Sequence, residues 1–435
     1  MCVSDIERCV SDIDGCVRAV SCAHGTPIGP AWSTIRSGSC SQSCPPYIVG
    51  PRAAGKTTTA ERSVRTTVHL DREAEAIAFR ADPDAALRGL PEPVLLDEWQ
   101  LVPGVLGAVK RAVDVRPAPG RFIVTGSATG DLTGPTWPGT GRLTRIAMYG
   151  MTIRERVGSI AAPTFLDSVD DLDRLSPAAE SPDLRGYVEL AMRSGFPEPA
   201  LRLGPVARTH WLDSYVDQLV TRDAGQLSGG RDPARLRRYL EAYAINTAGV
   251  VEDRTLYEAA GIDRRTAVAY EGLLTNLLAV EALPAWTSNR LKRLTLAPKR
   301  YVVDAGWCRR SFGSPRTRSC AVATSSAGSW TPSWWPNSGP SAWSVVPAPG
   351  LLHVRQQQGR LEVDVLAGRG GGAVVAVEVK ANAAPTTSDA RHLVGLRDRA
   401  GAAFVAGIVL HTGPGVYRLG ERIVAAPISS LWATA

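Results

Sequence analysis

"YIVGPRAAGKTTTAER", Tyr47 to Arg62, sets three apolar residues directly before a glycine-bounded turn, and the turn before a segment of helix-compatible residues. Gly50, Gly55, Lys56 and Thr57 stand at the spacing G-x-x-x-x-G-K-[ST], between a strand candidate and a helix candidate, which is the context this pattern requires. The glycines let the backbone curl so that successive N–H groups converge on phosphate oxygens, and the start of the following helix adds partial positive charge. Gly50, Pro51, Arg52, Ala53, Ala54, Gly55, Lys56, Thr57 and Thr58 are therefore the expected nucleotide cradle. In it the Lys56 ammonium reaches the outer phosphates of ATP, and the Thr57 hydroxyl ligates Mg2+.

A partner for the loop follows in "PEPVLLDEW", a short apolar strand ending in Asp97 and Glu98. Adjacent acids at a strand end are ordinarily a solvated turn, but after a phosphate loop they suit a division of labour. Asp97 would orient the metal and Glu98 would polarise the attacking water. Between the two motifs, "TTVHLDREAEAIAFRADPDAAL" reads as a strand followed by helix, and "GRFIVTGSATG" supplies a further strand running from Arg121 to Thr125 into Gly126 and Ser127.

The totals bound what surrounds this motif. At 435 residues, and roughly 150 residues per domain, about three domains are expected. Hydrophobic content of 44%, charged content of 21% and a mean hydropathy of −0.06 fall in the globular range. No apolar run of about 18 residues is present to span a bilayer, and "MCVSDIERCVSDIDGCVRAV" has acids where an export signal has a basic start. A cytoplasmic protein with no membrane partner is the expectation. The net charge of +7 permits nucleic-acid contact and equally describes a solvated surface. Only Lys56, Lys110, Lys292, Lys299 and Lys380 among 49 basic residues are lysine, and two of the five lie inside the strongest motifs.

All eight cysteines lie before Pro45 or between Trp307 and Trp343, and Trp307, Trp330, Trp334, Trp335 and Trp343 crowd the second of these stretches. A disulfide framework suits small secreted domains, and Cys40 with Cys44 has no second pair for a zinc site. The genetic code supplies another reading. Codons started at the third base turn Trp334, Trp335 and Pro336 into Val and Ala without ambiguity, and both stretches then gain leucines and valines at helical spacing. Residues up to about 45, and about 307 to 346, are accordingly expected to be frameshifted relative to an ancestral gene; unusual genuine loops are the alternative. The abrupt entry of Tyr47 into a strand then marks the restored frame.

The order "VGPRAAGKTT", "VLLDEWQ", "FIVTGSA", "GRLTRIAMYGMTIRE" resembles an uncharacterised prokaryotic AAA-type ATPase family that carries a C-terminal domain of unknown function. The resemblance covers about Tyr47 to Gly306 and resumes from about Leu351 to Trp432. It implies an α/β P-loop AAA-type ATPase core, a helical region, a winged helix and a C-terminal nuclease-like α/β domain. It also implies that Thr125 or Ser127 helps hold the nucleophilic water, Thr125 being the catalytic candidate beside Glu98. Arg142 or Arg145 could approach phosphate or lie on the surface. Arg193 or Arg222 could act across the boundary of a homo-oligomer, or form salt bridges on a helix surface.

From Leu184 to Ile245 apolar residues recur at three- and four-residue steps, the mark of helices. "EDRTLYEAAGIDRRTAVAYEGLLTNLLAVEALPAW" has the form helix, Gly turn, helix, strand, which fits a winged helix-turn-helix. Asp263, Arg264, Arg265 and Thr266 would open the helix that reads double-stranded DNA, and Arg290, Lys292, Arg293, Lys299 and Arg300 would offer a wing to phosphates. Such modules also bind proteins. In "GRLEVDVLAGRGGGAVVAVEVKAN", Asp364 ends one strand, and Glu378 and Lys380 share a face of the next. This set resembles the metal and lysine constellation of PD-(D/E)xK nucleases; a charged strand pair in water is the plainer reading.

The expected organisation is 1–45 frameshifted, 46–160 P-loop core, 161–245 helical, 246–306 winged-helix-like, 307–346 frameshifted and 347–435 nuclease-like. The expected function is ATP binding and Mg-dependent hydrolysis coupled to DNA. An ATP-switched DNA-binding regulator and a frameshift-damaged product are the alternatives.

Overall fold

Five short strands build the first sheet: β1 (Pro46–Gly50), β2 (Thr66–His69), β3 (Val94–Asp97), β4 (Phe122–Ser127) and β5 (Thr144–Ala147). All pair in parallel, in the order β2-β3-β4-β1-β5. A parallel sheet is covered on both faces, and the strands alternate accordingly. Tyr47, Val49, Leu96 and Val124 join one core with Phe79, Val105 and Val109, whereas Ile48, Leu95 and Ile123 join another with Ala60 and Met148. Helices α1 (Lys56–Glu61), α2 (Glu73–Ala81) and α3 (Gly104–Val115) supply these partners. In α3 the buried positions Val105, Val109 and Val113 recur every fourth residue, as a single apolar stripe demands.

The computed structural model describes residues 45–118, 120–127, 143–157, 165–223, 232–286, 296–309, 351–356, 361–369 and 372–433. Arg142, Arg290, Lys292, Arg293 and the Ser127 side chain lie outside the described residues, as do 1–44 and the part of 307–346 beyond Arg309. Trp307, where the second out-of-frame stretch is expected to begin, is 0% exposed.

The middle of the chain is helical: α4 (Leu184–Ala191), α5 (Pro205–Gln218), α6 (Pro233–Ile245), α7 (Asp253–Ala260) and α8 (Arg264–Asn276). Between α7 and α8, Gly261 takes the left-handed conformation (φ 64°) that stops a helix without Cβ strain, and Asp263 caps α8 by accepting from the Thr266 N–H at 2.9 Å. The antiparallel hairpin β6 (Val280–Leu283) and β7 (Lys299–Val302) follows. Trp307 closes this core by stacking on Phe196 and Tyr215. Just before it the buried Asp304 carboxylate accepts from Ser194 Oγ, the Gly195 N–H and the Gly306 N–H at 2.7–2.8 Å. Burial pushes that carboxyl upward, and these donors oppose the shift.

The last sheet has the order β12-β13-β11-β10-β9-β8. Its strands are β8 (Leu351–Gln356), β9 (Leu361–Gly368), β10 (Val374–Val379), β11 (Phe404–His411), β12 (Tyr417–Gly420) and β13 (Ile423–Pro427), with α9 (Arg391–Ala400) on one face. Strands β10, β11 and β13 run parallel, and β8, β9 and β12 pair antiparallel to their neighbours.

Candidate functional site: the loop after the first strand

Residues 51–55 leave the buried end of β1 and turn directly into α1. The turn needs left-handed backbone at Ala53 (φ 58°) and Gly55 (φ 93°). Gly55 carries this without cost, whereas Ala53 stores strain of the order of 1 kcal/mol, a feature that clusters at ligand-binding loops. Gly50 is required for a different reason. A Cβ there would press into the carbonyl oxygen of Met148, closer than real Cβ contacts come. Gly50→Ala is expected to cost about 1–3 kcal/mol of stability by overpacking, read as a lower denaturant midpoint together with weakened nucleotide binding.

Lys56 is 6% exposed, and its ammonium donates to the carbonyls of Gly50 and Pro51 at 3.1 and 2.9 Å, so it lies folded over the loop. Burial lowers its pKa, while the nearby Glu98 and Asp97 carboxylates work in the opposite direction. The next hydroxyl, Thr57 Oγ1, donates to Asp97, with the carboxylate oxygens at 3.0 and 3.1 Å. Thr125 Oγ1 donates to the same carboxylate at 2.5 Å. Sheet order explains this meeting. Because β4 lies between β1 and β3, Thr125 stands between the phosphate loop and the Asp97 strand end, and three segments distant in sequence converge at the C-terminal ends of three adjacent strands.

Glu98 follows in left-handed conformation (φ 56°), and its carboxylate accepts from Gln100 Nε2. An acidic residue held there costs about 1–3 kcal/mol, and persists only where surrounding contacts over-determine it. Sequence reading missed three neighbours. Gln100 holds Glu98. His69 Nδ1 lies 3.5 Å from Asp97 Oδ2, with Nε2 3.7 Å from Glu61. Tyr215 of α5 donates its hydroxyl to the Arg52 carbonyl at 3.2 Å, tying the loop to the helical region. Only His69 left a signal, as a polar residue ending a strand beside the acid strand.

The donor set of a threonine hydroxyl beside a carboxylate is all hard oxygen, which fits magnesium, and the curled loop with a buried ammonium fits a polyphosphate. Thr58 is exposed on α1, Ala54 is buried against the helical core, and Arg145 is an exposed residue of β5. Arg193 and Arg222 are both exposed.

Residues 44–157 match a family model described as an AAA domain, and residues 184–316 and 342–431 match domains of unknown function, DUF8612 and DUF4143. The chain carries an AAA-type P-loop domain and a C-terminal DUF4143 domain. Two curated mycobacterial proteins, the uncharacterized proteins Mb2031c of Mycobacterium bovis and Rv2008c of Mycobacterium tuberculosis, are each 30% identical over 270 residues, covering 61% of this chain and 55% of the relative. The chain thus spans about half the length of the curated relatives it matches. A solved Walker-type ATPase of Pyrococcus abyssi aligns over 63% of this chain and 93% of its own, with 14% identity and a TM-score of 0.37. No helix among the described residues is long and apolar enough to cross a membrane.

Two expectations for the wing are corrected. Lys299 and Arg300 are not offered to phosphates: they are 1% and 2% exposed. Lys299 pairs with Asp364 across 2.5 Å. Arg300 donates to the Val251 carbonyl at 2.7 Å and pairs with Asp253 and Glu271. The run of basic residues that suggested a wing is overridden at these two positions because β7 is buried along its whole length.

Proposed function

We propose that the AAA domain binds ATP with magnesium and hydrolyses it. The observation that carries this reading is the convergence of Thr57 and Thr125 on one Asp97 carboxylate beside Lys56. The backbone N–H groups of 52–57 and the start of α1 receive the phosphates, and Lys56 exchanges its two loop carbonyls for phosphate oxygens. Thr57 and Asp97 hold the magnesium, which supplies charge neutralisation at the phosphates. Glu98 accepts the proton of the attacking water, and Thr125, bonded to Asp97, keeps the acid oriented and lines the water's position. Titration with a fluorescent ATP analogue, with and without magnesium, tests this. Magnesium-dependent binding that weakens in Asp97→Asn is expected; no saturable binding would remove the reading.

The reading of the middle region as a DNA-binding winged helix is supported by the α7–turn–α8 order followed by a hairpin, with Arg264 and Arg265 exposed at the start of α8. With Lys299 and Arg300 buried, phosphate contact among the described residues falls on α8 itself. Replacing Arg264 and Arg265 by alanine is expected to weaken duplex binding and lower the slope of log K against log salt by about 1 for each phosphate that an arginine had neutralised, measured by anisotropy. A salt slope unchanged by both replacements favours a protein partner. Arg193 and Arg222, both exposed, are the candidates for acting on a neighbouring subunit in a homo-oligomer.

A further inference from the structure

The acids of the C-terminal sheet meet a cation from elsewhere in the chain. Lys299 comes from β7, Asp364 from β9, and Glu378 from β10, and all three are nearly inaccessible, at 1%, 2% and 4% exposure. The hairpin that delivers Lys299 is stitched to this sheet by backbone. The His353 N–H donates to the Pro284 carbonyl at 2.9 Å, the Trp286 N–H donates to the His353 carbonyl at 2.6 Å, and Ala285 bridges His353 in parallel. Arg355 adds a bond to the Val250 carbonyl at 3.2 Å.

Both oxygens of Asp364 are taken. Oδ1 accepts from Lys299 Nζ at 2.5 Å and Oδ2 from the Val379 N–H at 2.9 Å. Burial works against the Lys299 ammonium, but the Asp364 charge and hydrogen bond outweigh it and the net shift is upward. Glu378 Oε1 accepts from Lys380 Nζ at 2.8 Å, while Oε2 is buried with no hydrogen-bond partner. Burial, first, and the neighbouring Asp364 charge push the Glu378 carboxyl up, to about 8. The neighbouring His353 is kept neutral, pushed down to about 4 by burial and by the Lys299 charge.

A divalent ion of the magnesium class asks for several ionised or carbonyl oxygens and no competing positive charge. Here Lys299, an ammonium additional to the constellation's own Lys380, takes one oxygen of Asp364 and the Val379 N–H takes the other, and the described residues contain no group of three or more His, Cys, Asp or Glu able to hold a metal. These residues do not fit the metal that a PD-(D/E)xK constellation implies.

We propose that Lys299 is the resident cation of the Asp364–Glu378 pair, a buried latch that seats the β6–β7 hairpin on the C-terminal sheet and leaves that sheet without metal-dependent nuclease activity. Removing one partner of such a latch strands a buried charge, whereas replacing both by apolar residues removes the penalty.

Two measurements on the full chain test this, in an Asp97→Asn background without nucleotide, so that the P-loop contributes no metal site and the result does not depend on the ATPase reading. First, Mn2+ titration followed by electron paramagnetic resonance is expected to show no site that disappears on Asp364→Asn, and plasmid DNA with Mn2+ is expected to stay intact. An Asp364-dependent Mn2+ site, or cleavage abolished by Glu378→Gln, overturns the proposal. Second, melting temperatures are compared for Lys299→Met, Asp364→Leu and the double replacement. The double variant is expected to melt above the less stable single variant, or to be the one that folds where a single one does not; additive losses overturn the latch.

Discussion

With alanine in place of Lys56, nucleotide binding is expected to disappear from any practical concentration range. The ammonium is already buried at 6% exposure and bonded to two loop carbonyls, so its exchange onto phosphate oxygens replaces neutral acceptors with charged ones. A hydrogen bond to a charged group contributes about 1.5–3 kcal/mol, and two such bonds correspond to a rise in Kd of at least about 100-fold. Fold should survive, because Lys56→Ala removes a buried charge whose hydrogen-bond partners are two backbone carbonyls and leaves no opposite charge stranded by a broken ion pair. Isothermal titration with ATP and magnesium reads the affinity, and circular dichroism checks the fold. Affinity within a few-fold of the parent would mean that the 51–57 loop is not the nucleotide cradle.

Glu98→Gln should separate binding from turnover. Glutamine preserves shape and can still contact Gln100, but it cannot accept a proton from water, and a positioned general base contributes roughly 10²–10⁴-fold. The expected result is ATP affinity within a few-fold of the parent, with phosphate release reduced by about that factor in a coupled assay. The strained backbone at Glu98, φ 56°, supports placing the base here and not at Asp97, whose oxygens are committed to Thr57 and Thr125. Turnover that persists in rigorously purified Glu98→Gln protein would move the role of base to another group.

Part of this was readable from residues alone, because the relevant physics is local. Gly50 and Gly55 punctuate a turn whose spacing has few uses, and "VLLD" is a buried-strand run ending in acid. The alternation of apolar strands with helical segments was legible, and the strands proved to pair in parallel. What could not be read was lateral order. Nothing in "FIVTGS" says that it inserts between β1 and β3, yet that insertion brings Thr125 to Asp97. The same limit explains Lys299 and Arg300, which look like a basic wing until Asp364 of the C-terminal sheet pairs with the first and Asp253 and Glu271 of the helical region pair with the second. Gln100 and Tyr215 were invisible for a further reason: polar side chains that hold a site, without touching its ligand, follow no spacing rule.

The hydroxyl of Tyr215 donates to the Arg52 carbonyl, in the loop whose amides are the proposed phosphate donors. If phosphates draw those amides inward by even a few tenths of an ångström, the tyrosine must travel with them or surrender a bond worth about 1 kcal/mol. Its ring is stacked on Trp307, a few residues beyond the strand that carries Lys299, so one pair of stacked rings lies between the loop and the end of the β6–β7 hairpin.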